Sequence, residues 1–355
     1  MGERGYFHRV QDQTATRFWI NNVTRQEAQC AIAAGAIGST QNPSYTWKML
    51  TNEDEKNHVL KLLKDIMAEE KDNNVALVKL QRDLVREIAK CFLPLYESSG
   101  ARRGFVCIQG DPFHEDRDTI IKYARFNREA GPNIMAKIPV TLHGLRAIDA
   151  LAKERVPINA TEVMAVKQAV DVCEVYVQAT KAMKDPAPIF LSHITGIYDE
   201  YLHNYVRDLA IVVSPDAMRQ SAMAIAKKIY WIMKENRYPV GFVGGGAREL
   251  YHFTEMVGAE AEITINWTGT ADKLIEEDPP VVQRFFEPVP FSVIDELVEK
   301  VDEFRRGYFI NAITPAEYES FGPVKYFRTM FEDSWRRALD FIVDLRARTK
   351  KASAN

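Results

Sequence analysis

The feature that most constrains this chain is an alternation of two periodicities. Eight short runs rich in β-branched and aromatic residues, at 17–20, 36–40, 105–109, 134–139, 158–162, 189–194, 240–244 and 262–266, are separated by longer stretches with helical spacing. Helical patterns cover 116–130, 143–153, 165–183, 216–236 and 249–257; in one of them Met218, Ala222, Ile225, Ile229 and Ile232 recur at intervals of three and four, with Lys227 and Lys228 between them. Strands alternating with helices imply parallel pairing with helical crossovers, and eight such units close into a (β/α)8 TIM barrel. The competing architecture is a doubly wound open sheet. It requires a glycine-rich turn after the first strand, and the segment RFWINNVTR contains no glycine.

A single α/β barrel domain over 1–355 is therefore expected, with two additions. Residues 45–100 read as a helical insertion after the second strand, carrying one stripe of Leu60, Leu63, Ile66 and Met67 and another of Leu77, Leu80, Leu84 and Ile88. The charge-rich run 53–64 within it reads as a solvated helix face. Residues 288–351 read as a mostly helical extension broken at Pro315 and at Gly322-Pro323. With 46 Lys+Arg against 49 Asp+Glu and a formal charge of −3, the chain lacks the basic excess of a nucleic-acid binder. No apolar run is long enough for a membrane span, and MGERGYFHRV has no secretory core. Cys30, Cys91, Cys107 and Cys173 show no C-x-x-C spacing, which suits reduced thiols and a cytoplasmic location.

The segment NIMAKIPVTLHG places a lysine inside an otherwise apolar strand. By parity Ile134, Ala136 and Ile138 face the helices, leaving Met135, Lys137 and Pro139 directed inward. Desolvation disfavours an ammonium group there and makes the neutral nucleophile available, the state that a Schiff-base lysine needs. The plainer alternative is a lysine paired with an acid or reaching out at the strand end.

Further along, Gly244-Gly245-Gly246-Ala247-Arg248 runs from a strand into a helical pattern. Backbone N–H groups at such a junction, with the Arg248 guanidinium, make an anion site; a tight turn with a solvated arginine is the alternative. Asp111 and His114 in GDPFHED invite a metal reading, but the chain has neither H-x-H nor H-x-x-x-H, so no metal or other cofactor is expected. His193, on a candidate strand, fits a hydrogen-bonded core histidine as well as a site residue. The aromatic residues of the tail, among them Tyr308, Phe309, Phe321, Tyr326, Phe327 and Phe331, suit helix packing or a subunit interface better than base stacking, and leave a homo-oligomer open.

NIMAKIPVT resembles the lysine motif of the transaldolase family, and further landmarks match in barrel order: GSTQNPS at 38–44, VCIQGD at 106–111, INAT at 158–161, LSHITGIY at 191–198 and GGGAR at 244–248. The resemblance, spanning roughly residues 17–266, implies a class I aldolase barrel. Lys137 would form an imine with a ketose, a dihydroxyacetone unit would pass to an aldehyde acceptor, and the partner would be a sugar or sugar phosphate. An aldolase releasing free dihydroxyacetone, and a sugar-binding barrel without turnover, are the alternatives. The resemblance further implies that Asn42, Asn159 and Ser192 hydrogen-bond the dihydroxyacetone hydroxyls, that Asn21 acts near the cleaved bond, and that Arg248 with Gly246 binds the anionic end.

This chain departs from the family pattern where protons and phosphate are handled. Asn21 stands where the family places an aspartate, and Gln109 where it places a glutamate, although glutamine is found in the fructose-6-phosphate aldolase branch. Ile197 follows Gly196 where a phosphate-binding arginine is usual. An amide cannot act as a general base, so Gln109 and Thr161 are expected to position a water while a separate group titrates. Asp111 and His193 rank first for that role, ahead of Tyr198. Glu162 has the wrong parity for the interior unless its strand has already ended.

Overall fold

The computed structural model describes residues 5–354, with side chains described through residue 349; residues 1–4 of the N-terminal segment considered above lie outside the described residues. The strands are β1 (Arg17–Asn21), β2 (Gly38–Gln41), β3 (Phe105–Gln109), β4 (Ile134–Pro139), β5 (Ile158–Val163), β6 (Ile189–His193), β7 (Gly241–Gly244) and β8 (Glu262–Asn266). All pair in parallel in chain order, and β8 returns to β1 to close the barrel. This is the (β/α)8 architecture that the alternation of periodicities predicts.

The two faces of the strands divide as parity requires. Outward residues such as Phe18, Ile20, Val106, Ile108, Ile134 and Ile138 are buried against the helical shell. Inward, Trp19, Ile37, Phe105, Cys107 and Met135 form a compact plug in the lower barrel, with Phe190 packed against it. Gly38 is essential to that plug, because a Cβ there would lie 2.5 Å from the Trp19 ring. Above the plug the interior turns polar, and the register of Gln109 to Lys137 and Lys137 to Asn159 sets these three side chains in one layer.

Local sequence starts the flanking helices cleanly. Thr24 caps Arg25–Ala33 in a capping box with Glu27, Thr141 caps Leu142–Lys153, and Ser214 followed by Pro215 opens Pro215–Glu235. The insertion between β2 and β3 comprises helices Tyr45–Thr51, Lys56–Glu69 and Asn73–Ser98. Val59, Leu63 and Met67 form the buried stripe of the second, while most of the charged run faces solvent. Glu55 is the exception: it is buried and ion-paired to Arg25 at 2.9 Å.

Two expectations about helix ends need correction. Gly322-Pro323 begins a helix, Gly322–Ala354, instead of breaking one, because proline is tolerated in a first turn whose N–H groups have no intrahelical acceptors. The pattern at 249–257 yields only the four-residue helix Tyr251–Thr254. The imidazole Nδ1 of His252 lies 3.3 and 3.1 Å from the backbone nitrogens of Arg248 and Glu249 and draws that segment into a turn. Among the described residues no helix is long and apolar enough to cross a membrane.

Candidate active site

The polar upper layer opens into a cavity of about 430 Å³ at the C-terminal mouth of the barrel, the end where the chemistry of this fold is placed. Its floor and sides are polar: Asn21, Thr40, Asn42, Lys137, Ser192, Thr264 and Asn266. Its far wall is apolar, built by Ile194, Ile197 and Ala247 and by Phe327, Met330 and Phe331 of the tail helix, which lies over the mouth.

Lys137 is 7% exposed, and no carboxylate of the described residues lies within ion-pair distance of its Nζ. Burial lowers its pKa from the ordinary lysine value to about 8, against the opposing influence of the Cys107 thiol and of Glu162. The thiol is itself pushed up to about 12 by burial and stays protonated. The geometry thus separates Lys137 from the two plainer alternatives, a salt-bridged lysine and one that escapes to solvent.

Around the lysine, paired amides order the floor. Asn21 Nδ2 donates to Asn266 Oδ1 at 2.9 Å, and the Thr40 hydroxyl donates to Asn21 Oδ1 at 2.9 Å while meeting Thr264 Oγ1 at 2.7 Å. Asn42 Oδ1 accepts from Asn22 Nδ2 at 2.9 Å and from the Ser44 N–H at 3.0 Å, which leaves the Asn42 amide donors for the cavity. Asn22 reaches this position in the left-handed region, φ 47°, where asparagine is among the residues best tolerated. Ser192 Oγ donates to Asn159 Oδ1 at 2.7 Å, and Asn159 Nδ2 contacts Cys107 Sγ at 3.3 Å, so Asn159 orients Ser192 from below.

The β3–β5 side of the mouth holds a second, drier polar group. Gln109 Nε2 donates to Glu162 Oε1 at 2.8 Å; Gln109 Oε1, Thr161 Oγ1 and Glu162 Oε2 are all buried without a hydrogen-bond partner. Glu162 gets there because β5 is irregular: its register against β6 shifts between Ala160 and Val163, and Glu162 sits at φ 62°. A bulge adds a residue and resets parity, which is why alternation alone misplaces this side chain. Burial raises the Glu162 pKa, opposed by Gln109, Arg328 and Lys137. Glu115, also buried and also raised by burial, lies 3.4 Å from Arg328 of the tail helix.

The other expected proton-transfer groups lie elsewhere. His193 is turned away from the barrel axis, its Nδ1 2.8 Å from the Val163 carbonyl oxygen and its Nε2 3.3 Å from that of Ala222, and burial lowers its pKa. It fastens β6 to β5 and to the helix Pro215–Glu235. Asp111 is buried in its own loop, accepting from the Phe113 N–H at 2.8 Å and from Asn74 Nδ2 at 2.7 Å, with His114 Nδ1 at 2.6 Å. Tyr198 Oη donates to the Glu303 carbonyl at 3.3 Å behind the cavity wall.

The β7 loop carries Gly246 at φ 68° and packs on the β6 loop so tightly that a Cβ on Gly196 would lie 2.1 Å from the Gly246 carbonyl oxygen. Arg248 lines the cavity with its guanidinium ion-paired to Glu200, which also accepts from Tyr326 Oη at 2.6 Å. Because the helix that follows is a single short turn, with His252 against the Arg248 and Glu249 amides, the expected helix-dipole contribution to an anion site falls away. Lys48, which donates to the Asn22 carbonyl at 2.7 Å, is a second cation on the cavity wall.

Compared with known proteins, residues 18–299 match the family model for transaldolase/fructose-6-phosphate aldolase. The chain belongs to this family. Among curated relatives it is 27% identical to a transaldolase of Helicobacter pylori strain P12 over 58% of this chain and 60% of that protein. It is 34% identical to a transaldolase of strain HPAG1 over 41% of this chain and 45% of that protein. A transaldolase of Thiobacillus denitrificans aligns over 88% of this chain and 94% of its own length at 23% identity. The chain thus spans only about half the length of the Helicobacter relatives in the matched regions.

Several cavity residues had no signal in the family landmarks. Asn266 and Thr264 alternate along β8, a signal by which parity could direct both inward, but nothing in the sequence pairs them with Asn21 and Thr40. Phe327, Met330 and Phe331 share one face of a helix by their spacing of three and four; that this face covers the barrel mouth follows only from how the tail docks.

Proposed function

We propose that this protein is a transaldolase-like enzyme in which Lys137 carries a dihydroxyacetone unit as a Schiff base. The observation that supports this reading best is a buried lysine without an ion-pair partner, its pKa near 8, at the base of a hydroxyl- and amide-lined cavity. The neutral amine adds to the ketose carbonyl, and loss of water gives an iminium. The bond between C3 and C4 of the ketose then breaks, its electron pair moving into the iminium while the C4 hydroxyl loses its proton and leaves as an aldehyde carbonyl. The three-carbon enamine adds to the acceptor aldehyde, and water releases the new ketose from Lys137. Asn42 and Ser192 are assigned to the hydroxyls of the retained unit, with Asn159 holding Ser192, and Asn21 with Asn266 to the region of the broken bond.

Incubation with fructose 6-phosphate and borohydride, followed by peptide mass mapping, tests the reading. One adduct, on Lys137, is the expected result; an adduct confined to another lysine, or none, rejects it. Donor–acceptor exchange distinguishes transfer from simple cleavage, since a cleaving aldolase releases dihydroxyacetone when no acceptor is present.

Arg248 is assigned to the anionic end of the substrate, where it would exchange Glu200 for a phosphate. Arg248→Ala is expected to raise KM for a phosphorylated acceptor by about 10–150-fold, the loss of a charge-assisted hydrogen bond, and to change KM for the unphosphorylated sugar far less. Equal weakening of both would make the arginine a structural partner of Glu200 alone.

A further inference from the structure

Gln109 on β3 is hydrogen-bonded at 2.8 Å to a buried carboxylate, Glu162 on β5, and the two strands flank the one that carries Lys137. We infer that Glu162, through the group it forms with Gln109 and Thr161, is the proton-transfer group for imine formation and hydrolysis at Lys137; this rests on the Schiff-base reading above. Three observations converge on it. Glu162 is fully buried, yet one of its carboxylate oxygens has no partner. The two neighbouring polar atoms without partners, Thr161 Oγ1 and Gln109 Oε1, belong to inward residues of the strands flanking Lys137. A buried polar atom left unsatisfied is costly, so three on neighbouring residues mark a site built around a small polar guest. The third observation is the backbone: Glu162 is held at φ 62° by the β5 irregularity, a conformation that non-glycine residues adopt at a cost and that concentrates at functional sites.

The chemistry needs such a group. After Lys137 adds to the ketose, the carbinolamine must lose its hydroxyl. The protonated Glu162 carboxyl gives its proton to that oxygen, directly or through a water held by Thr161 and Gln109. The C–O bond breaks as water leaves, and the nitrogen lone pair closes the C=N bond, leaving a carboxylate and an iminium. In hydrolysis the carboxylate takes the proton from the attacking water and the sequence runs in reverse. Gln109 keeps one Glu162 oxygen engaged and so presents the other. The charged groups around Glu162 come from four elements: Lys137 on β4, Glu115 in the loop after β3, Arg328 and Glu332 on the tail helix, and Glu319 in the turn before it. Burial favours the neutral acid, while Arg328 and Lys137 favour the carboxylate. The Glu162 charge raises the cost of ionising Glu115, and Arg328 of the tail helix offsets the burial of both.

The decisive variant is Glu162→Gln. Expected are a fall in turnover and in the rate of Lys137 adduct formation of about 10²–10⁴-fold, and loss of one limb of the kcat–pH profile, with KM changed far less. A double variant, Gln109→Glu with Glu162→Gln, puts the carboxylate on β3 and keeps the amide–carboxylate hydrogen bond with the two partners exchanged. It should recover most of the lost rate and the missing limb, and it remains informative if the single variant does not fold. A parental rate and an unchanged profile in Glu162→Gln would overturn the assignment while leaving Lys137 in place. So would a double variant that folds but stays inactive. If the unmodified protein forms no adduct on Lys137, the imine reading fails and the Glu162 role with it.

Discussion

Lys137→Met is expected to yield a folded protein that forms no borohydride-stable adduct and turns over on the order of 10⁶-fold more slowly, the scale on which removal of a covalent nucleophile falls. The thioether chain fits the space of the lysine stem between Met135 and the upper polar layer, so fold and function separate cleanly. The pH behaviour carries the same signature. With a pKa of about 8, roughly one-tenth of Lys137 is neutral at pH 7, against about one part in three thousand for an ordinary lysine at 10.5. The alkaline-rising limb of kcat/KM should therefore have its midpoint near pH 8.

Stability should move in a direction that can be worked out. Between about pH 8 and 10.5 the unfolded chain keeps the Lys137 proton and the folded chain does not, so the unfolded state binds more protons and stability rises with pH across that window. Below pH 8 both states are protonated and the folded state carries the full desolvation cost. Lys137→Met removes that cost, so the variant should melt higher than the parent at pH 7, by at most ~3 kcal/mol, and the gap should close between pH 8 and 10.5. Thermal melts of the two proteins at pH 7 and pH 10 check this; a parent that melts higher at pH 7 would show that Lys137 is stabilised by a partner in the fold.

Asp199→Ala is expected to be the most damaging substitution outside the cavity, at about 3–5 kcal/mol. Asp199 is 3% exposed on the helix Thr195–Asp208, and its carboxylate collects four donors. They are Ser221 Oγ at 2.9 Å, the Ala222 N–H at 3.2 Å, Tyr251 Oη at 2.6 Å and His252 Nε2 at 2.9 Å. These donors belong to the helix Pro215–Glu235 and to the short turn behind Arg248, so one side chain ties the β6 and β7 loops to the shell. Removing it strands the buried donors of Ser221, Ala222 and His252, while Tyr251 is half-buried. Urea denaturation should show a lower midpoint with an unchanged slope, accompanied by a raised KM because the Gly246–Arg248 segment loses its anchor. A loss below about 1 kcal/mol would mean that the four donors find other acceptors.

Much of this protein is local in origin and so can be read from the chain. Strand and helix periods, the capping residues Thr24, Thr141 and Ser214, and the absence of a glycine-rich first turn depend on near neighbours, and they suffice for eight parallel strands closed into a barrel. The lysine among apolar residues at 134–139 is equally local: strand parity directs it inward, and burial sets its chemistry. Other features rest on contacts between distant segments. Glu162 faces Gln109 only because β5 bulges against β6, and a single extra residue reverses the parity from which its direction would be inferred. His193 has the sequence position of a mouth residue but is spent on two backbone carbonyls. The tail helix brings Phe331 and Arg328 to the mouth of a barrel formed by strands that end some sixty residues earlier. Periodicity records which face of an element is apolar, never which partner covers it; that choice is made by the packing of the whole chain, and it is there that the apolar wall of the cavity and the buried acid beside Lys137 were decided.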